Sequence, residues 1–230
     1  MRTSICMLAM LLPSIVSAGE GGIMESNGSI MAMFSDSNHY SHAGIGLGYR
    51  LPVGDYGGVV FAAAVTDTNG KDSYLNSTGQ AAGVEAFLRK YDMGLVSASY
   101  SHGEVKADLN PGSLTASYDS YSVTGVYYFG DVDAMLGYTR LESDIVNNPD
   151  TYRVAGRLYL GDNVATELEV NKDDVTDTYG ISFVYQPNMF ANSVGVTAGY
   201  QSSDNEDTVS ISIKYHFDTK VSLIERNRKY

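Results

Sequence analysis

From residue 28 to residue 217 the chain alternates, segment after segment, between a greasy phase and a polar one. One phase reads Ala43, Ile45, Leu47, Tyr49, Leu51, then Val59, Phe61, Ala63, Val65, then Ala82, Val84, Ala86, Leu88. It continues as Tyr121, Val123, Tyr127, Phe129 and, near the end, as Val209, Ile211, Ile213, Tyr215, Phe217. The opposite phase is mostly Gly, Ser, Thr and charge. Successive side chains in a strand point to opposite faces, so a period of two predicts two-sided β-strands. The pattern predicts about twelve strands, at 28–36, 41–51, 56–66, 79–90, 93–102, 114–129, 132–142, 151–161, 164–172, 176–186, 193–202 and 207–217.

The connections alternate in kind. LPVGD, KYD, FGD and LGDN are short, with QPNMFAN somewhat longer. DTNGKDSYLNST, HGEVKADLNPG, SDIVNNPD, NKDDV and SSDNED are longer and polar. Pro52, Pro111, Pro149 and Pro187 all fall in connections, as expected of a residue that cannot donate to a strand ladder. Short turns on one side, longer loops on the other and an even strand count are the pattern of an antiparallel transmembrane β-barrel. Alternation alone would also suit a soluble sandwich or soluble barrel, which buries its apolar face. Three features favour the membrane barrel, whose apolar face points outward. The polar phase is small, as a crowded interior needs; tyrosines recur at strand ends, as in an interfacial girdle; and the last strand, VSISIKYHF, ends on Phe217.

Composition narrows the picture. MRTSICMLAMLLPSIVSA opens with Arg2, continues with an apolar run and closes on Val16-Ser17-Ala18, so residues 1–18 are expected to be a cleaved signal peptide. Cys6, the single cysteine, lies inside it, so the remainder has no disulfide or thiol chemistry. The formal charge of −12 disfavours nucleic acid as a partner, because phosphates would be repelled. The chain has 18 tyrosines and 24 glycines but no tryptophan. Residues 19–217 are expected to form one barrel domain.

On its alternation, its connections and its terminal strand, the chain resembles Gram-negative outer-membrane β-barrels of the smaller, porin-like kind. The resemblance implies residence in the outer membrane, contact with its lipid and lipopolysaccharide, and delivery to the barrel assembly machinery by the strand ending at Phe217. It departs from the type in its end: DTKVSLIERNRKY follows the final aromatic. Lys220, Arg226, Arg228 and Lys229 make residues 218–230 a basic tail, expected in the periplasm, either solvated or entering the lumen or touching the cell wall.

Phase assigns Arg50, Glu85, Arg89, Arg153, Arg157, Glu167, Glu169 and Lys214 to the interior. A turn near Asp162 sets Arg157 opposite Glu167, where opposite charges attract. Such residues either create a transverse field in a narrow pore or pair and fill it; twelve strands lie between filled and open barrels. Asp67, Asp72, Glu104, Asp108, Asp173, Asp174, Asp204, Glu206 and Asp207 are expected at the outer rim, as solvated carboxylates rather than a calcium site.

One stretch points elsewhere. In HYSHAGIGLG, His39, Ser41 and the following residues resemble the His-x-Ser-Asn-Gly/Ala stretch of outer-membrane phospholipase A and lipid A deacylase. The resemblance would make His39 the base and Ser41 the nucleophile, with His42 standing where those families have Asn. A turn near Val53 would bring Asp67 opposite His39 as the orienting acid. GIGLG opens no helix and is not a dinucleotide loop; its glycines read as lumen positions kept small. The four histidines are scattered, without metal-ligand spacing, and no cofactor is implied. The sequence therefore favours a channel for small hydrophilic solutes, with a lipid hydrolase and a non-conducting structural or adhesive barrel as alternatives.

Overall fold

The computed structural model describes residues 26–71, 75–109, 112–144, 149–174, 176–188, 192–204, 206–217 and 221–228. The expected signal, residues 1–18, lies outside them, as do Asp72, Lys220 and Lys229. Twelve antiparallel strands close into a barrel: β1 (Asn27–Ser37), β2 (Tyr40–Val53), β3 (Gly57–Gly70), β4 (Ser77–Lys90), β5 (Gly94–Asp108), β6 (Ser113–Phe129), β7 (Val132–Ser143), β8 (Asp150–Gly161), β9 (Val164–Lys172), β10 (Asp177–Tyr185), β11 (Val194–Ser203) and β12 (Asp207–His216). β1 pairs with both β2 and β12, so no edge is left to solvate. A short helix, α1 (Leu223–Arg228), follows.

The turns at 54–56, 91–93, 130–131 and 162–163, with the longer 186–193 connection, lie at one end, here the turn end. The remaining connections lie at the loop end. There β3 runs on to Gly70 and β5 to Asp108, past their predicted ends. The extra residues pair in regular register, Tyr40 with Gly70 and Lys106 with Thr115. Beyond the hydrocarbon the outward phase turns polar, as Asp67, Asn69, Glu104 and Lys106 show, so the ladder continues where the period-two signal stops.

The greasy phase faces outward. Leu88 and Leu136 are 67% and 65% exposed, whereas Arg89 and Asp133, on the inward phase, are 3% and 2%. Only lipid makes that inversion stable, since water would not tolerate such a continuous apolar belt. Outward aromatics border the belt: Tyr49, Tyr91, Tyr127, Phe129 and Tyr185 near the turn end, Tyr100, Tyr121, Tyr152, Tyr179 and Tyr200 toward the loop end. From Tyr121 to Phe129, β6 covers about 20 Å of the membrane normal at a tilt of about 40°. The rings pair across strands, Tyr100 with Tyr121 at 5.3 Å and Tyr138 with Tyr152 at 5.4 Å. Their hydroxyls donate to carboxylates, Tyr100 to Asp119 at 2.7 Å and Tyr138 to Asp150 at 2.9 Å. Each ring thus keeps its body greasy and its tip wet. Leu136→Arg, between the girdles, should weaken folding into lipid vesicles by about 2–4 kcal/mol, read from the urea dependence of refolding. An unchanged midpoint would place that face outside the membrane.

Candidate functional site in the lumen

Inward side chains fill the barrel unevenly. In the loop-end half of β3 to β7, Ala64, Val105, Tyr118 and Leu141 pack together, with Ala81 against them. Gly103 makes room for this: a Cβ there would lie 2.4 Å from the Tyr118 ring. The charges gather nearer the turn end, on two walls.

The first wall is β8 and β9. Register sets Arg157 directly opposite Glu167, and Arg153 sits four residues earlier on the same face. Glu167 accepts from Arg153 Nη2 at 2.6 Å and from Arg157 Nη2 at 2.7 Å. Arg153 also reaches Glu169 Oε2 at 2.9 Å, and Gln201 of β11 donates to Glu169 Oε1 at 2.7 Å. These opposite charges neutralise one another within one wall instead of facing each other across the pore. Glu167 is well screened from water, so its ionised form depends on the two guanidiniums.

The second wall faces the first across the ring of strands, on β2, β4 and β12. Arg50 and Arg89 are almost fully buried, with guanidinium carbons 5.5 Å and 5.3 Å from the Phe87 ring centre. Glu85 lies among Arg50, Arg89 and Lys214, close enough for all three charges to act on it. This wall carries more positive than negative charge among its described residues.

The basic tail does not extend away from the barrel over its described residues. α1 turns back into the turn-end mouth, with Ser222 Oγ accepting the Glu225 N–H at 3.3 Å as its cap. Leu223 packs on Tyr159 and Ala165, and Ile224 donates its N–H to the Asp162 carbonyl at 3.2 Å. Arg226, 1% exposed, donates to Gln186 Oε1 at 3.2 Å and to the Asn192 carbonyl. Arg228 donates through Nε and Nη2 to Asp133 Oδ1, at 3.0 and 2.7 Å, and lies 5.2 Å from both the Tyr128 and Tyr159 ring centres. Tyr159 donates to Asp133 Oδ2 at 2.7 Å, and Asn227 Nδ2 donates to the Tyr159 hydroxyl at 2.6 Å. Sequence reasoning missed Asp133, Tyr128, Tyr159 and Gln186. The inward phase of Asp133 between Val132 and Ala134 was the available signal for an acidic partner to the tail.

The hydrolase residues fall differently from their expected geometry. The β2–β3 turn pairs Val53 with Gly57, so it is centred on Asp55, two residues later than predicted. Asp67 therefore lies opposite Ala43, and His39, at the hairpin tip, accepts the Lys71 N–H instead. Ser41 faces outward and donates to Asp36 Oδ1 at 2.5 Å, while Asp36 also pairs with Lys71 Nζ at 2.8 Å. A nucleophilic serine gives its proton to an imidazole; Ser41 gives its own to a carboxylate in an exposed surface cluster. His42 points into the barrel, with Nδ1 2.7 Å from Thr68 Oγ1. At the rim, Glu206 is buried and accepts from Ser37, and Asp207 accepts from the Tyr200 hydroxyl at 2.9 Å. Among the described residues no group of three or more His, Cys, Asp or Glu side chains is arranged to hold a metal ion.

No protein-family model matches the sequence, and no curated protein sequence matches it. Solved structures do match in fold. The translocator domain of the autotransporter NalP from Neisseria meningitidis superposes with a TM-score of 0.69 at 11% identity, covering 94% of this chain and 97% of that one. A KdgM porin in complex with disordered oligogalacturonate gives 0.63 at 10%, covering 83% and 99%. The Acinetobacter baumannii outer membrane protein Omp33 gives 0.52 at 13%, covering 84% and 99%. At such identities the likeness is one of fold, and that fold is the outer-membrane β-barrel.

Proposed function

We propose that this chain is a narrow outer-membrane channel for passive diffusion of small hydrophilic solutes, with both chain ends on the periplasmic side. The observation that carries this reading is the acidic and basic residues on two opposite inner walls of the barrel. A barrel serving only as an anchor gains nothing from charges inside it, because burying them costs more than apolar packing. Charges lining a polar path through the barrel instead select what passes. Porins among the structural neighbours agree with the reading through fold alone. Lipid and lipopolysaccharide contact the outward belt, and the strand ending at Phe217 is the part offered to the assembly machinery. The tail, 218–230, narrows the periplasmic mouth through α1.

Single-channel recording of the refolded chain in a planar bilayer tests the proposal. Discrete current steps are expected; a folded barrel that stays silent would overturn it. The hydrolase alternative has its own measurement. Ser41→Ala should leave phospholipid and lipid A hydrolysis by the protein unchanged, at background level. Hydrolysis by the parent chain that disappears in Ser41→Ala would displace the channel reading.

A further inference from the structure

We infer that solutes cross the barrel off its axis, along the inner faces of β10, β11, β12 and β1, and that a Glu169–Gln201 bridge over Gly180 selects what passes. The inference rests on the channel reading and locates the path within it.

Side-chain size divides the inner surface. Through the middle of β10, β11 and β12 the inward phase is Ser182, Thr197, Gly199, Ser210 and Ser212, none larger than threonine. Register sets Ser182 opposite Gly199 and Gly199 opposite Ser210, so three of these positions form one row. No described inward position on β10 or β11 is buried. The far side of the ring differs: on β4, β5 and β6 the inward Phe87, Ser97, Ser101, Val105, Tyr118 and Ser120 are all buried. A twelve-stranded ring lies between filled and open barrels, so side-chain length decides which part is filled. Phe87 and Tyr118 project inward on their side, whereas serine and glycine stop short of the centre. The unfilled cross-section therefore lies against β10 to β12. A cavity of about 30 Å³ toward the turn end adjoins the same side, lined in part by Ser29, Met31, Gly46 and Lys214. α1 seats across the ring from that cavity, on Tyr128, Asp133, Tyr159 and Ala165 of β6 to β9.

One polar structure crosses this strip. Gln201 Nε2 of β11 donates to Glu169 Oε1 of β9 at 2.7 Å, so the two side chains meet over the intervening β10. Gly180 of β10 is the register partner of both. A Cβ on Gly180 would lie 2.8 Å from Glu169 Cγ and 3.3 Å from Gln201 Cγ, so the bridge fits only above bare backbone. Arg153 holds the other carboxylate oxygen at 2.9 Å, and Arg153 and Glu169 both stay more open than Glu167. The bridge thus stands on the loop side of Ser182, in the unfilled part of the lumen. A solute following the strip passes a fixed amide and a carboxylate shared between two donors. Pore width and the hydrogen-bonding groups that line it set selectivity.

Thiol accessibility is the test. Cys6 is the single cysteine, so Cys6→Ser gives a full chain without thiols. Ser182→Cys, Ser210→Cys, Ser97→Cys and Ser101→Cys are then introduced one at a time, each exchanging oxygen for sulfur with little change of size. With the chain folded in detergent micelles, a small water-soluble methanethiosulfonate should modify Ser182→Cys and Ser210→Cys several-fold faster than Ser97→Cys and Ser101→Cys. Circular dichroism confirms folding, and complete reaction in urea confirms that every thiol is competent. Equal rates, or faster reaction on β5, would overturn the off-axis path. Adding Gln201→Ala should speed reaction of Ser182→Cys with a bulkier maleimide several-fold; an unchanged rate would remove the bridge as the selecting element. Conductance of the same preparations separates this inference from the channel reading. A silent barrel with fast reaction at Ser182→Cys and Ser210→Cys loses the channel and keeps the strip as an open recess. A conducting barrel whose four thiols react alike keeps the channel and loses the path.

Discussion

A chain ending at Phe217 should pass several-fold more current in a planar bilayer than the full chain. The expectation follows from where α1 sits. Leu223 is buried against Tyr159 and Ala165, Arg226 is sealed between Gln186 and Asn192, and Arg228 spans the mouth to Asp133. Removing the segment empties part of the cross-section and takes Arg226 and Arg228 away from the narrow end. Asp133→Asn should give a milder version of the same result. It strips the charge that Arg228 meets at 2.7 Å and leaves a guanidinium buried without its partner. That imbalance costs about 3–5 kcal/mol, enough to favour release of α1 from the mouth. The current should then flicker between two levels, the higher one matching the truncated chain. Equal conductance for the full and truncated chains would show that α1 leaves the conducting path open.

The second large effect is on stability. Glu167→Gln should destabilise the folded barrel by about 3 kcal/mol, at the low end of the range for breaking a buried pair. The carboxylate accepts from both Arg153 and Arg157, and its loss leaves two guanidiniums facing one remaining acid, Glu169. The low end applies because Arg153 is 31% exposed and retains Glu169. The readout is the urea midpoint for unfolding from detergent micelles. The same substitution deletes a negative charge from the lumen wall, so the reversal potential in a salt gradient should move toward anions. A midpoint within error of the parent would mean that Glu167 is hydrated and that the β8–β9 wall is wetter than its geometry implies.

Much of this was legible before any coordinates, and the reason is local. Ile45, Leu47 and Tyr49 alternate with glycine because lipid on one side and a crowded lumen on the other act on every membrane-crossing residue in turn. The pairing of Arg157 with Glu167 needed only a tight turn after Leu160. Where the outward phase turns polar like the inward one the signal vanishes, so the continuation of β3 through Thr68 to Gly70 was invisible. His39, Ser41 and Asp67 show the opposite hazard. Three plausible residue types and a register guess made a site, but a turn centred on Asp55 moved Asp67 to Ala43 and left Ser41 bonded to Asp36. Register errors double across a hairpin, and a short motif cannot correct them.

The sequence by itself determined the barrel: strand number, inward and outward phase, the greasy belt and the inward phase of charges such as Arg157 and Glu167, all of which follow from side-chain alternation under a two-sided solvent. Tertiary structure decided what those charges meet. Arg153 and Arg157 close on Glu167 because β8 and β9 are neighbours, whereas Arg50, Lys214 and Arg226 converge because the ring joins β2, through β1, to β12 and the tail folds back. The seat of α1 on Asp133, Tyr128 and Tyr159 joins residues from the end of the chain to strands far earlier. Periodicity is a property of neighbours along the chain, and barrel closure brings together residues that no period relates.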